Sequence, residues 1–83
     1  MYFWKLVGFR KFTRNNEDGT SQDRYQVCFE DPKVVADVGV IYKTYSFPAY
    51  QCPELKKDHI GKEVIVDIGN YNGVTYGKEI VFR

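Results

Sequence analysis

The sequence predicts an all-β fold, a small antiparallel barrel of five strands that forms one domain over residues 1–83. Three observations predict this fold. Apolar and polar residues alternate with a period of two, clusters of Asn, Asp and Gly separate the alternating segments, and the single stretch with helical character is short. The alternation is clearest late in the chain, where Val64, Val66 and Ile68 share one side of a strand.

The first half of the chain predicts three strands. Gly8 permits a bulge within residues 1–14, so one long bent strand can serve both halves of a barrel. A polar loop with its turn at Gly19 follows, and it leads into a second strand over residues 24–30. Residues 38–47 are rich in β-branched and aromatic side chains, and they predict the third strand.

The second half predicts a short helix or loop and a closing hairpin. A proline at the start and a glycine after the end confine any helix to residues 53–60. The hairpin strands are predicted at residues 62–70 and 74–82, and an Asn-Gly pair between them supplies the positive φ angles of a tight turn. Gly69 and Gly77 flank this turn and indicate bulges or close approach of the backbone.

This order of elements is typical of the OB-fold. Three strands, a short helix or loop and two further strands form a five-stranded Greek-key barrel in that architecture. An SH3-like barrel is the alternative, because it also combines five strands with a helical turn late in the chain. Of the two, the sequence favours the OB-like barrel.

Composition narrows the classes of function. A net charge of +1 argues against binding by bulk charge, whereas one Trp, seven Tyr and six Phe exceed what so small a core needs. We therefore expect shared or exposed rings and a homodimer. Cys28 and Cys52 lack close partners for zinc, and no catalytic signature is present, so we expect no metal, no cofactor and no enzyme. With no signal peptide or membrane-length apolar run evident, we expect a cytoplasmic protein that has free thiols and binds no membrane.

Rings and cations interleave after Gly8, a pattern typical of proteins that bind single-stranded nucleic acid. Such binding needs aromatic faces for the bases and cations for the phosphates. Each of these residues could instead fill a core or a solvated strand face, but as a set they favour binding. The candidate site residues are Arg10, Phe12, Arg14, Arg24, Tyr25, Lys43, Tyr45 and Tyr71.

Two short segments and the closing hairpin carry a resemblance to a known family. They are Gln26-Val27-Cys28-Phe29, Pro48-Ala49-Tyr50-Gln51-Cys52-Pro53, and a hairpin with an aromatic ring near its tip. This layout resembles the gene V-type single-stranded DNA-binding proteins of filamentous phages. The resemblance implies a cytoplasmic homodimer that coats single-stranded DNA during replication, cooperatively and without strong sequence preference.

The resemblance also implies roles for particular residues. Tyr25 and Tyr71 match base-stacking positions, and Arg14 and Arg24 match basic residues that contact DNA. The chain departs from the family pattern in loop 15–23, because its carboxylates are unfavourable beside phosphates. Alternation places Tyr25 on the predicted core side of its strand, so its assignment to the core or to the site stays open.

A protein-interaction module is the alternative function. It would be an OB-like or SH3-like barrel without nucleic-acid binding, such as an accessory or inhibitory factor of a phage or mobile element. Exposed tyrosines on a surface with little net charge are also typical of protein interfaces.

Overall fold

Five antiparallel strands form one sheet in the computed structural model of the protein, which describes residues 2–83. The strands are β1 (Tyr2–Asn15), β2 (Ser21–Glu30), β3 (Tyr42–Pro48), β4 (Glu63–Tyr71) and β5 (Val74–Phe82). Their order across the sheet is β3-β2-β1-β4-β5, so β1 is central and β3 and β5 form the edges. The predicted all-β class with five antiparallel strands is confirmed.

Strand β1 pairs with β4 through Tyr2–Lys5 and with β2 through the rest of its length. The register against β2 shifts between Leu6 and Gly8, which confirms the bulge predicted at this glycine. The bulge lets the strand bend while Leu6 stays fully buried.

The β1–β2 hairpin is longer than predicted, because Asn15 still pairs with Ser21. Asp18 makes the short loop possible: its carboxylate accepts hydrogen bonds from the Thr20 backbone N–H at 3.0 Å and from the Thr20 hydroxyl at 2.6 Å. Gly19 adopts a φ of 87°, as the predicted turn requires. The second strand therefore begins at Ser21 and not at residue 24.

The third strand is shorter than the predicted range of residues 38–47. Its partner β2 ends at Glu30, which pairs with Tyr42. The chain turns directly after this pair, because the Asp31 carboxylate accepts a hydrogen bond from the backbone N–H of Lys33 at 2.9 Å. Residues 38–41 therefore have no neighbouring strand, and Val38 is 91% exposed. An apolar run without a pairing partner stays a loop.

The segment predicted to contain a short helix or loop, residues 53–60, holds one helical turn, and a second turn lies before it, outside the predicted range. Both turns are 3₁₀ helices, Ala49–Gln51 and Lys57–His59. Cys52 is extended, with φ −118° and ψ 145°, as expected for the residue before a proline, so the first turn ends there. His59 stabilises the second turn, because its Nδ1 accepts the Lys56 backbone N–H at 2.9 Å.

The closing hairpin follows the prediction closely. Asn72 and Gly73 have φ angles of 52° and 79°. The register shifts between Asp67, which pairs with Glu79, and Ile68, which pairs with Gly77, so the bulge lies in β5 next to Gly77. No ladder closes the sheet between β3 and β5 in residues 2–83; the Phe47 ring of β3 packs against Gly77 of β5 instead. The shared core consists of Trp4, Leu6, Tyr25, Val27, Phe29, Phe47, Leu55, Val64, Val66 and Ile80.

Within residues 2–83, no helix has the length and apolarity needed to cross a bilayer.

Candidate nucleic-acid interface

Strands β1, β2 and β3 present one side to the core and the other to solvent. Register places Arg10 opposite Gln26, and Arg14 opposite Gln22. These positions alternate with core residues, so their side chains share the side that faces away from the core. We call this side the outer face; it comprises Gly8, Arg10, Phe12, Arg14, Gln22, Arg24, Gln26, Cys28, Thr44 and Ser46.

Arg24 is held in one orientation at the centre of this outer face. Its Nε donates to Ser46 Oγ at 2.8 Å, its Nη2 donates to the Ser46 carbonyl at 3.3 Å, and its Nη1 donates to Gln22 Oε1 at 2.8 Å. Partial burial and the nearby charge of Arg14 lower the pKa of Arg24 from its ordinary value. A guanidinium stays charged at neutral pH, so two cations stand together there, and neither forms a salt bridge with a described residue.

Arg10 is held by two neighbours on the same face. Its Nε donates to Gln26 Oε1 across the strand pair at 2.6 Å, and its Cζ lies 5.0 Å from the centroid of the Phe12 ring. The guanidinium and the ring therefore form one cation–π pair, which presents both a charge and a flat surface.

Two carboxylates in or next to the β1–β2 loop, Asp18 and Asp23, form hydrogen bonds with threonines. Asp23 accepts a hydrogen bond from the Thr13 hydroxyl at 3.0 Å. This pair lies on the side of the strands opposite the outer face. The hydrogen bonds from Thr20 lower the pKa of Asp18 and hold its carboxylate within the loop. Two salt bridges form among the described residues, Lys43 with Asp31 and Arg83 with Glu63.

Four of the predicted site residues lie away from the outer face, and two of them, Lys43 and Tyr45, lie on the core side of β3. Lys43 lies opposite Phe29 on the core side, with its Nζ 4.9 Å from the Trp4 ring centroid and 3.7 Å from Asp31 Oδ2. Tyr45 stacks on Trp4 with centroids 5.8 Å apart and planes 8° apart. We therefore do not include Lys43 and Tyr45 in the candidate interface.

The structure places Tyr25 in the core, where only 6% of the residue is exposed. Its ring meets Phe9 edge-on with centroids 6.1 Å apart, and Lys11 Nζ lies 6.0 Å from its centroid. A ring packed in this way has no free face for a base. Of the two assignments that the sequence left open, the core is the one observed.

Tyr71 stands apart from the arginines at the tip of the β4–β5 hairpin. It is 72% exposed, and it precedes the left-handed Asn72-Gly73 turn. Its ring is free to meet a ligand or a second subunit, but it belongs to the other half of the sheet.

Sequence reasoning missed the polar side chains that orient the arginines. Gln22, Gln26 and Ser46 carry no charge, and only the cross-strand register brings them beside Arg10 and Arg24. Tyr50 is a further missed residue: it is 76% exposed in the turn directly after Pro48, the cross-strand partner of Arg24. The Pro-Ala-Tyr segment was the signal for this ring.

Comparisons of the chain with protein-family models, curated proteins and solved structures find no match. The gene V-type resemblance therefore stays a prediction, and any functional assignment depends on the geometry of the outer face.

The Cys52 thiol gives a pH-dependent prediction. Burial raises its pKa from the ordinary 9.0 to about 11. Between these two values the unfolded chain loses this proton before the folded chain does, so the raised pKa lowers stability as pH rises through that window. We expect Cys52→Ala to lose less unfolding free energy than the native chain between pH 9 and pH 11, measured by urea denaturation. Parallel losses in the two proteins would contradict this assignment.

Proposed function

We propose that the protein binds single-stranded DNA through its outer face, without strong sequence preference and without catalysing a reaction. The observation that carries the proposal is the pairing of Arg14 with an oriented Arg24 on a face where neither has a carboxylate partner among the described residues. Neighbouring cations of this kind favour an anion, and phosphates are the anions that recur along a single strand.

The arrangement along β1 supports the same proposal. Arg10, Phe12 and Arg14 project from one side at alternate positions, so successive side chains stand about 6.8 Å apart. A ring between two cations can stack a base while the cations neutralise the flanking phosphates. The binding mode would be helix-destabilising, because a protein that binds the single strand better than the duplex shifts the equilibrium towards the unpaired strand.

We further propose that the protein acts as a homodimer in the cytoplasm. The loop between β2 and β3 exposes several apolar side chains that a monomer leaves in water, among them Val35, 87% exposed, and Val38, 91% exposed. A second copy of the chain could cover such a surface in a closed two-fold contact.

The same exposed loop favours the alternative function, a protein-interaction module. Apolar side chains on a loop, together with exposed rings such as Tyr71, are the composition expected of a contact with another protein. In that case the arginines would be solvated, and nucleic acid would not bind.

Titration of a fluorescent all-dT oligonucleotide at several salt concentrations separates these functions. If the proposal is right, the protein binds at low salt, and the logarithm of the affinity falls with the logarithm of the salt concentration by roughly 0.7 per phosphate neutralised. Failure to bind at low salt would favour the protein-interaction module.

Ring substitutions test the stacking component. Phe12→Ala should weaken oligonucleotide binding by ~1–3 kcal/mol with little change in the salt dependence, because a ring displaces no counterions. Tyr71→Ala is the matched variant on the other half of the sheet, and sedimentation measures its self-association. A loss of self-association alone assigns Tyr71 to the dimer, whereas an unchanged affinity in Phe12→Ala would contradict stacking on the outer face.

A further inference from the structure

A recess interrupts the outer face next to Arg10. Its volume is about 390 Å³, and its lining includes Gly8, Arg10, Gln26, Cys28 and Thr44. The row of Gly8, Cys28 and Thr44 crosses all three strands with small side chains. A Cβ added at Gly8 would meet no atom within 4 Å, so the space above this glycine is open.

The polar groups at the rim of this recess are predominantly donors. Arg10 offers its Nη groups, since its Nε already donates to Gln26 Oε1. That bond takes up one of the two lone pairs of Gln26 Oε1, the amide nitrogen of Gln26 adds two N–H donors, and a guanidinium has no acceptor at all. Within residues 2–83, no carboxylate lines the recess. The Thr44 hydroxyl can donate or accept, so a ligand that presents acceptors matches most of this rim.

Resting on the proposed function, we infer that this recess binds a guanine base and gives one nucleotide position a preference within otherwise sequence-tolerant binding. The edge of guanine that carries O6 and N7 offers two adjacent acceptors, which a guanidinium contacts through two parallel hydrogen bonds. The corresponding edges of adenine and cytosine carry an amino donor, and thymine offers O4 beside a methyl group. Guanine is therefore the base whose edge matches a rim of donors.

A base fits this recess better than a phosphate does. Among the described residues that line it, Arg10 is the one cation, whereas Arg14 and Arg24 stand together elsewhere on the face. The floor near Gly8 and Cys28 is open and weakly polar, which suits the face of a ring. Phe12 holds the guanidinium from one side, so its orientation is set before the base arrives.

Four oligonucleotides of equal length test the inference: all dT, and dT with one central dG, dA or 7-deaza-dG, which keeps O6 but lacks N7. The protein should bind the dG oligonucleotide about fivefold or more tightly than all dT, the lower end of what a bidentate arginine contact contributes. The dA and 7-deaza-dG oligonucleotides should bind about as all dT does.

Arg10→Lys keeps the charge and removes the two parallel donors, so the ratio of dG to dT affinity should fall to about one. Arg14→Lys is the matched control on the same strand, and it should keep the ratio of the native protein. Equal affinity of the native protein for all four oligonucleotides would overturn the guanine site alone. Failure to bind any of them would overturn the proposed function as well.

The position of the base has its own readout, because Cys28 lines the recess and is a free thiol. In a Cys52→Ala background, the saturating dG oligonucleotide should slow alkylation of Cys28 more than saturating all dT does. Equal protection by both would place the guanine elsewhere and overturn the recess as its site.

Discussion

Replacing Gly77 with Ala is expected to lower the free energy of unfolding by about 1–3 kcal/mol, the usual cost of forcing an extra group into a packed core. A Cβ at this position would lie 2.5 Å from both Cδ2 and Cε2 of Phe47, far inside van der Waals contact. The Phe47 ring cannot withdraw, because it is fully buried and packs edge-on against Phe29 with centroids 5.9 Å apart. Urea denaturation followed by circular dichroism measures the loss.

Gly69→Ala is the matched control in the partner strand. Its Cβ would lie 2.6 Å from Tyr76 Cζ, but Tyr76 is 41% exposed and its ring can move into solvent. We expect a change within about 0.5 kcal/mol, as for most surface substitutions. Neither glycine has a positive φ, so both variants report packing rather than backbone strain. Equal losses in the two would contradict a tight contact between β3 and β5.

The contact at Gly77 matters because it holds β3 and β5 together where no backbone hydrogen bonds pair them within residues 2–83. Strands β3 and β5 are the edges of an open sheet, yet Gly77 lets the backbone of β5 approach the ring of Phe47 closely. Every other side chain at this position would hold the edges apart. The glycine was visible in the sequence as a mark of close approach, but its neighbour was not, since that depends on how the sheet curls.

Most of the fold could be predicted from local features of the sequence. The Gly8 bulge, the Gly19 turn and the Asn72-Gly73 turn each follow from backbone preferences that act within a few residues. The predicted start of β3 was wrong because it depends on a partner strand elsewhere in the chain. Whether residues 38–41 form a strand depends on a partner, and β2 ends before it could provide one.

The candidate site was partly predictable for a related reason. Arg10 and Arg14 share a strand side by simple alternation, so their grouping follows from the sequence. Lys43 and Tyr45 lie in a stretch with apolar residues at both odd and even positions, so alternation does not predict which side of the strand faces the core. Only the pairing of Lys43 with Phe29 places that lysine on the core side, above Trp4.

Removing both Arg14 and Arg24 is expected to have the largest effect on DNA binding. A hydrogen-bonded contact between a charged donor and a phosphate contributes about tenfold in affinity, so the double alanine variant should bind an all-dT oligonucleotide about 100-fold more weakly at low salt. Its salt dependence should also flatten by roughly 1.4, which corresponds to two phosphates on a single strand. Fluorescence anisotropy across a salt series measures both quantities.

The double variant Lys33→Ala, Lys78→Ala is the matched control, since it removes the same charge from two exposed positions outside the outer face. It should keep most of the native affinity, because attraction by net charge alone is weak in a protein whose net charge is +1. Equal weakening in the two double variants would mean that binding follows total charge, and the outer face would lose its role. If the arginine variant keeps the native affinity, Arg14 and Arg24 are ordinary solvated surface residues. The exposed valines of the β2–β3 loop would then favour the protein-interaction module.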